Sequence, residues 1–380
     1  MSSEVPKGWR HAKLGEIAAL SGGTTPSKSN DAYWTQGVVP WATPSDITSL
    51  PLAKTRIAAT ETHVAELALK ECSLKLNPPG TVLMTSRATI GYAAINDVPM
   101  ATNQGFLAFA CFDICDPDFL CHWLNANKTA LTAAAGGSTF KELGRGTAKL
   151  LPILLPPLDE QRRIADVLGS IGHSLHLADI AVKKFDDLLS ALRRELTHHP
   201  DLTFDGVGRV SLHDLCRPRQ HPTISSQQLT STGFPAYGAN GQIGFYTSYT
   251  HAAPVIAITC RGATCGTVNW IPAQSYVTGN AMALDEVRHE LINERFLFHY
   301  LSAWGVAKSI AGSAQPQITR QSLNGIEIAL PPLAEQNSVA AVLDDVLSQL
   351  EAASTARTKV EAVRSQVTAD LLSGLVRVPA

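Results

Sequence analysis

No run of apolar residues in this chain approaches the length of about eighteen that a membrane-spanning helix needs, and the opening MSSEVPKGWRH is too polar for a secretory leader. Both absences point to a soluble protein without a membrane partner, expected in the cytoplasm. Cysteine is sparse and unpatterned: seven residues lie scattered without framework spacing, which fits free thiols in a reducing compartment. An excess of charge is also missing. Lys and Arg total 31 against 33 Asp and Glu, a net charge of −2. The balance holds locally, at 13 against 12 in residues 1–150 and 8 against 8 in residues 201–329. Residues 151–200 and 330–380 are slightly acidic, at 6 against 7 and 4 against 6. A DNA-binding protein gains most of its affinity by neutralising phosphates. This chain alone is therefore expected to hold DNA weakly, with any basic surface local or completed by partners. Its 45% hydrophobic and 17% charged residues are those of a folded globular chain, not a disordered one.

Catalytic signatures are missing as well. Gly22-Gly23-Thr24-Thr25-Pro26-Ser27-Lys28-Ser29 approaches a phosphate-binding loop, but Ser27 stands where glycine is needed and Pro26 removes an N–H from the cradle. Asn77-Pro78-Pro79-Gly80 lacks the aromatic ring that would stack on a flipped base, and no glycine-rich cofactor loop precedes it, so it reads as a turn before a strand. Cys111, Cys115, Cys121 and His122 have no compact metal-ligand spacing, and His173 and His176 lie in a helical pattern without an acidic triad partner. The expectation is a non-catalytic chain with no cofactor or metal of its own.

What the chain does have is a sentence said twice. Residues 155–168 read LPPLDEQRRIADVL and residues 330–343 read LPPLAEQNSVAAVL, identical at nine of fourteen positions. A repeat at this spacing marks two copies of a domain-sized unit. The paired prolines, Pro156 and Pro157 and then Pro331 and Pro332, suit the approach to a helix, and Glu160 and Glu335 place negative charge in its first turn. Downstream, apolar residues recur at alternating steps of four and three: Ile164, Leu168, Ile171, Leu175, Ala178, Val182, Phe185, Leu189, Leu192 and Leu196. The second copy keeps the seam from Val339 to Leu371 except at Arg357 and Arg364, where a looser or more exposed stretch is expected. A heptad seam this long predicts two coiled-coil helices of about forty residues, each about 60 Å long. Antiparallel pairing would give the molecule a pseudo-twofold axis, with the globular units at opposite ends in inverted orientation. Pro156, Pro157, Glu160 and Gln161, with Pro331, Pro332, Glu335 and Gln336, are read as the junctions that set the exit angle from each unit.

The units before each repeat share only anchor points. Leu14-Gly15-Glu16-Ile17 corresponds to Leu212-His213-Asp214-Leu215, and Ala88-Thr89-Ile90-Gly91 to Ala263-Thr264-Cys265-Gly266. The offset between copies falls along the chain, so the first unit carries extra residues, placed around 50–78 with a helix-like segment ATETHVAELALKE. Short β-rich runs, frequent turn residues and a few helices give an α+β class. The expected organisation is a globular domain over 1–154, a helix over 155–200, a second globular domain over 201–329 and a second helix over 330–380.

Duplicated LPPL-x-EQ motifs leading into long helices, each after a variable unit, resemble the DNA specificity subunit of type I restriction–modification systems. GFPAYGANGQIGFY at 233–246, KGWRHAKLGEIAALSGGTTPS and VVPWATPSDIT are further likenesses, and together they cover essentially the whole chain. The resemblance implies two target-recognition domains, each reading one half of a split, asymmetric site in double-stranded DNA. It implies helices that set the spacer and dock two methyltransferase subunits, with motor-nuclease subunits joining them. S-adenosylmethionine and ATP would be bound by those partners. Base edges are read by Arg, Lys and short polar side chains. The candidate DNA contacts are Ser86, Arg87, Thr89, Asn103, Gln104 and Lys141 in the first unit, and Tyr237, Asn240, Arg261, Thr264, Asn280, Gln315 and Gln317 in the second. The competing reading is a two-headed scaffold for protein interactions, which the neutral charge favours and the family resemblance opposes.

Overall fold

The computed structural model describes residues 5–51, 54–137, 141–197, 207–239, 241–310 and 316–379. The chain forms two compact units, one of residues 1–180 with 354–380 and one of residues 181–353. Neither unit stops at the boundary between head and helix. Each joins a globular head to the first part of the long helix that follows it and to the last part of the other.

In the first unit the main sheet has the strand order Ala18–Gly22, Phe106–Cys111, Val82–Thr85, Ala93–Asn96 and Arg56–Ile57, antiparallel except for the last pair. Val82–Thr85 is buried on both faces, as a continuous apolar run requires. A smaller sheet joins His63–Val64, Val39–Ala42 and Ala101–Thr102. A ribbon of Arg10–Lys13 with Pro152–Leu155 closes the head and delivers the chain to the first long helix, Leu158–Leu196. The second unit repeats this plan. Its main sheet runs Arg217–Arg219, Ala281–Asp285, Val255–Thr259 and Val268–Ile271; its smaller sheet runs Gly241–Tyr246, Phe234–Gly238 and Tyr276–Val277. The ribbon Gly208–Ser211 with Glu327–Leu330 leads to the second long helix, Leu333–Ser373.

The α+β class and the internal repeat are thus present, and the helices have 39 and 41 residues. The extra residues of the first head fall between its Val39–Ala42 and Val82–Thr85 strands, as expected, and supply the additional strand Arg56–Ile57. The helix expected there is shorter than the segment that suggested it. It covers only Glu66–Glu71, because His63–Val64 is drawn out as an edge strand against Val39–Ala42.

Every position of the heptad seam is buried or half-buried. In the first unit Ile164, Leu168, Leu371 and Leu372 join the core of the head, where Phe109, Phe119 and Leu120 are fully covered. The helix segments there run antiparallel: Asp179 meets Arg357, and Glu160 meets Arg377. In the second unit Leu189 packs with Leu343 and Val346. The arginines do not simply open the seam. Arg357 Nε donates to Asp179 Oδ1 across the pair at 2.9 Å, and Arg364 lies beside Glu361 at 3.6 Å. The seam around them is half-buried and without fully buried side chains between Leu175 and Leu189, so the expected loosening is present but bridged by charge.

Candidate nucleic-acid interface

Both heads build the same seat at one end of the main sheet. In the first, Gly91 N–H donates to the Thr85 carbonyl at 2.9 Å and closes the turn after the strand. Ser86 N–H donates to Gly105, and Leu143 N–H donates to Ser86, at 2.7 and 2.9 Å. In the second, Gly266 bonds Thr259, Cys260 bonds Asn280, and Ile318 bonds Cys260, each at 2.9 Å. Three loops therefore converge in each head on one backbone pattern. Gly91 and Gly266 sit at φ +91° and +92°, where a side chain is strained, and a Cβ would also press on Lys128 or Ile310.

The sequence-predicted residues cluster on these seats. Ser86, Arg87 and Gln104 line a shallow cleft of about 270 Å³ in the first head, with Glu142 and Arg145 opposite. Arg87 forms an ion pair with Glu142 at 2.9 Å, both side chains being nearly half exposed. Gln104 is exposed and accepts from the Thr25 hydroxyl. Thr89 and Lys141 are also exposed. Ser86 is buried beneath the cleft, and Asn103 Oδ1 is engaged by Gly105 N–H at 2.8 Å, so these two shape the loops. Sequence reasoning passed over Thr25 and Arg145, which come from segments distant in the chain and enter only when the loops close on Ser86.

In the second head Arg261 and Gln317 face each other through a backbone bridge, as Arg87 and Glu142 do in the first. Both are exposed, and among the described residues Arg261 has no ion pair. Thr264 Oγ1 donates to the Ala239 carbonyl at 2.8 Å, tying the turn to the hairpin of Phe234–Gly238 and Gly241–Tyr246. Tyr237 is half-buried, and that burial raises its phenol above the ordinary value. Asn280 is half-buried and bonds through its carbonyl. Asn240 and Gln315 lie outside the described residues. Each seat thus presents an arginine and short polar side chains, which suit hydrogen-bonding edges better than bulk phosphate.

The repeated motif builds the junctions. Pro156 and Pro331 are buried, Pro157 and Pro332 are exposed, and the carbonyls of Pro157 and Pro332 accept from the first helical N–H groups. Gln161 is fully buried: its amide oxygen accepts from Asp116 N–H at 2.8 Å, and its nitrogen donates to the Ile114 and Pro156 carbonyls. Gln336 repeats all three bonds with Asn293, Leu291 and Pro331. Each glutamine so pins its helix to the cap of a short helix in its own head. The glutamates diverge. Glu160 is buried against the Trp9 indole N–H and the Arg377 guanidinium, which together hold its carboxyl below the usual range, Arg377 contributing most. Glu335 is exposed.

Comparison with known proteins gives one consistent answer. Residues 6–179 and 205–362 each match the family described as type I restriction modification DNA specificity domain. The MjaIX specificity subunit of Methanocaldococcus jannaschii is 41% identical over 196 residues, 51% of this chain and 44% of that protein. The EcoprrI specificity subunit of Escherichia coli is 26% identical over 358 residues, 87% of this chain and 86% of that protein. The chain thus spans under half of the first relative and most of the second. The crystal structure of a type I restriction–modification S subunit from M. genitalium shares the fold, with a TM-score of 0.69 at 15% identity over 98% of both chains. A chain from a study of complex assembly and conformational transition in the type I system has a TM-score of 0.57 at 20% identity, over 98% of this chain and 100% of that one.

Proposed function

This chain belongs to the type I restriction–modification DNA specificity family, in two copies, and we propose that each head reads one half of a bipartite, asymmetric DNA site. The observation that carries this reading is the duplicated seat: one backbone pattern presents different side chains, Arg87 facing Glu142 in one head and Arg261 facing Gln317 in the other. One scaffold with two side-chain sets is what two unlike half-sites require. Arg87, Thr89, Gln104 and Lys141 on one seat, and Arg261, Thr264 and Gln317 on the other, are the side chains we assign to DNA contact.

The long helices hold the half-sites at a fixed spacing and dock two methyltransferase subunits, which bind S-adenosylmethionine; motor-nuclease subunits bind ATP. The neutral heads fit this division of labour, since partners then contribute much of the phosphate neutralisation. The chain itself performs no chemistry in this scheme. It positions the partner's catalytic site. The test is co-expression with a methyltransferase subunit, followed by mapping of methylated adenines in host DNA. A split motif with a constant gap that vanishes when this chain is omitted supports the reading. Methylation that does not depend on this chain refutes it.

A further inference from the structure

Away from the seat, the second head gathers His221, His251 and Asp285 so that one ligand atom from each lies within 4.8 Å of the others. Asp285 ends the strand Ala281–Asp285, His221 follows the edge strand Arg217–Arg219, and His251 precedes Val255–Thr259. Strand register pairs Thr259 with Ala281, so Asp285 sits at the end of the sheet opposite the turn that carries Arg261. His251 Nε2 is 3.0 Å from Asp285 Oδ1, and His221 Nε2 is 3.2 Å from Oδ2. Both imidazoles are largely buried, with 12% and 16% of their surface exposed.

The hydrogen bonds around the cluster suit a ligand role for both rings. Thr250 Oγ1 accepts from Val277 N–H at 2.9 Å and lies 3.3 Å from the Ser275 carbonyl and 2.7 Å from His251 Nδ1. In the tautomer where His251 Nδ1 donates to Thr250 and Thr250 donates to Ser275, Nε2 carries a free lone pair for a ligand; in the other tautomer Nε2 donates to Asp285. His221 Nε2 is buried and has no hydrogen-bond partner despite its nearness to Asp285. A metal ion satisfies that orphaned nitrogen. Ligand distances of about 2.0–2.2 Å in a tetrahedral zinc site put ligand atoms about 3.4 Å apart, close to the two contacts seen here. Thr250 supplies the outer hydrogen bond that orients a metal-binding histidine.

We propose that His221, His251 and Asp285 form a site for a divalent transition-metal ion of the zinc type, with the fourth position left to water. Arg219 Nε lies 3.7 Å from Asp285 Oδ2, but its Nη2 lies 3.6 Å from Glu286 Oε1, which would retain the guanidinium when a cation takes the Asp285 carboxylate. The site ties an edge strand and a loop to the main sheet, and so acts on the stability of this head rather than on base choice. Among the described residues the first head has no equivalent: the corresponding backbone bridge pairs Asn77 with Met100 where the second pairs His251 with Ser275.

The test titrates the chelator-stripped full-length chain with zinc chloride and counts bound metal after gel filtration. Wild type is expected to retain one equivalent per chain more than His251→Ala and to melt at higher temperature when loaded. Seven cysteines provide thiols that also take up zinc, so the difference between wild type and variant is the readout. Should His251→Ala fail to fold, Asp285→Asn keeps the size of the side chain, and its zinc affinity is expected to fall more than about tenfold. Equal uptake by wild type and a folded variant, or uptake abolished by thiol alkylation alone, overturns the proposal.

Discussion

The two head–helix junctions start from one design and finish it differently. Both use a buried glutamine, Gln161 or Gln336, that makes the same three bonds to the cap of a short helix. Six residues beyond each cap stands a histidine, His122 in one short helix and His299 in the other. In the second unit His299 is fully buried, accepts from Arg193 Nε at 3.1 Å through Nδ1 and donates to Asp344 at 2.8 Å through Nε2. Arg295 joins Asp344 through both nitrogens it offers and lies 4.3 Å above the Trp270 ring. In the first unit the matching helix positions are Gly169 and Thr368, and His122 borders cavities of about 510 and 750 Å³. The charge beside this junction lies instead in the Glu160–Arg377–Trp9 clamp. Repetition of a motif therefore fixes the joint, while the latch beside it was found separately by each copy.

That difference can be broken from either side. Asp344→Ala strips partners from a buried imidazole and a guanidinium at once. It should destabilise the second unit by about 2–3 kcal/mol, below the full cost of breaking a buried pair because Asp344 is a third exposed. Hydrogen exchange resolved by peptide should show the loss in residues 207–345 and spare the first head. Acid should reach the same latch. Burial pushes the His299 imidazole down to about 4, with Asp344 opposing. A folded value below the ordinary 6.5 means the contribution is complete above pH 6.5 and is lost as pH falls toward 4, up to about 3 kcal/mol. His299→Gln should flatten the pH dependence of the second unit across that window while weakening it at pH 7.

On the other side, Glu160→Gln removes the charge from the clamp and keeps part of its hydrogen bonding. A loss of about 1 kcal/mol is expected in the first unit only, read by quenching of Trp9 fluorescence during denaturation. The smallest effect is a gain. Gly169 is helical, and a Cβ there meets nothing within 4 Å. Gly169→Ala should stabilise by about 0.5–1 kcal/mol, visible as a small rise in melting temperature.

The sequence made the frame legible because the frame rests on local and periodic signals. The LPPL-x-EQ repeat located both helices, the heptad seam named side chains that are buried or half-buried, and the shared offset of Gly91 and Gly266 marked two turns, both of which take positive φ. What stayed hidden depends on chain segments that meet only in the fold. Nothing near Glu160 announces Arg377, and nothing in the spacing of His221, His251 and Asp285 announces a cluster. The segment ATETHVAELALKE misled for the same reason: its residues favour a helix, but pairing with Val39–Ala42 drew His63–Val64 out as a strand and left the helix only Glu66–Glu71. Among the candidate DNA contacts, Ser86 is buried and Asn103 is engaged by Gly105 N–H; burial and loop closure cannot be read from residue type.

The central claim is that the heads read DNA independently, and exchange of one head tests it most directly. Residues 205–329 would be replaced with the corresponding segment of a family member of known site, the chimera co-expressed with the methyltransferase subunit, and methylated adenines mapped by long-read sequencing. The account predicts that one half of the split motif changes to that of the donor, while the other half stays the same. A motif in which both halves change, or neither does, would contradict it.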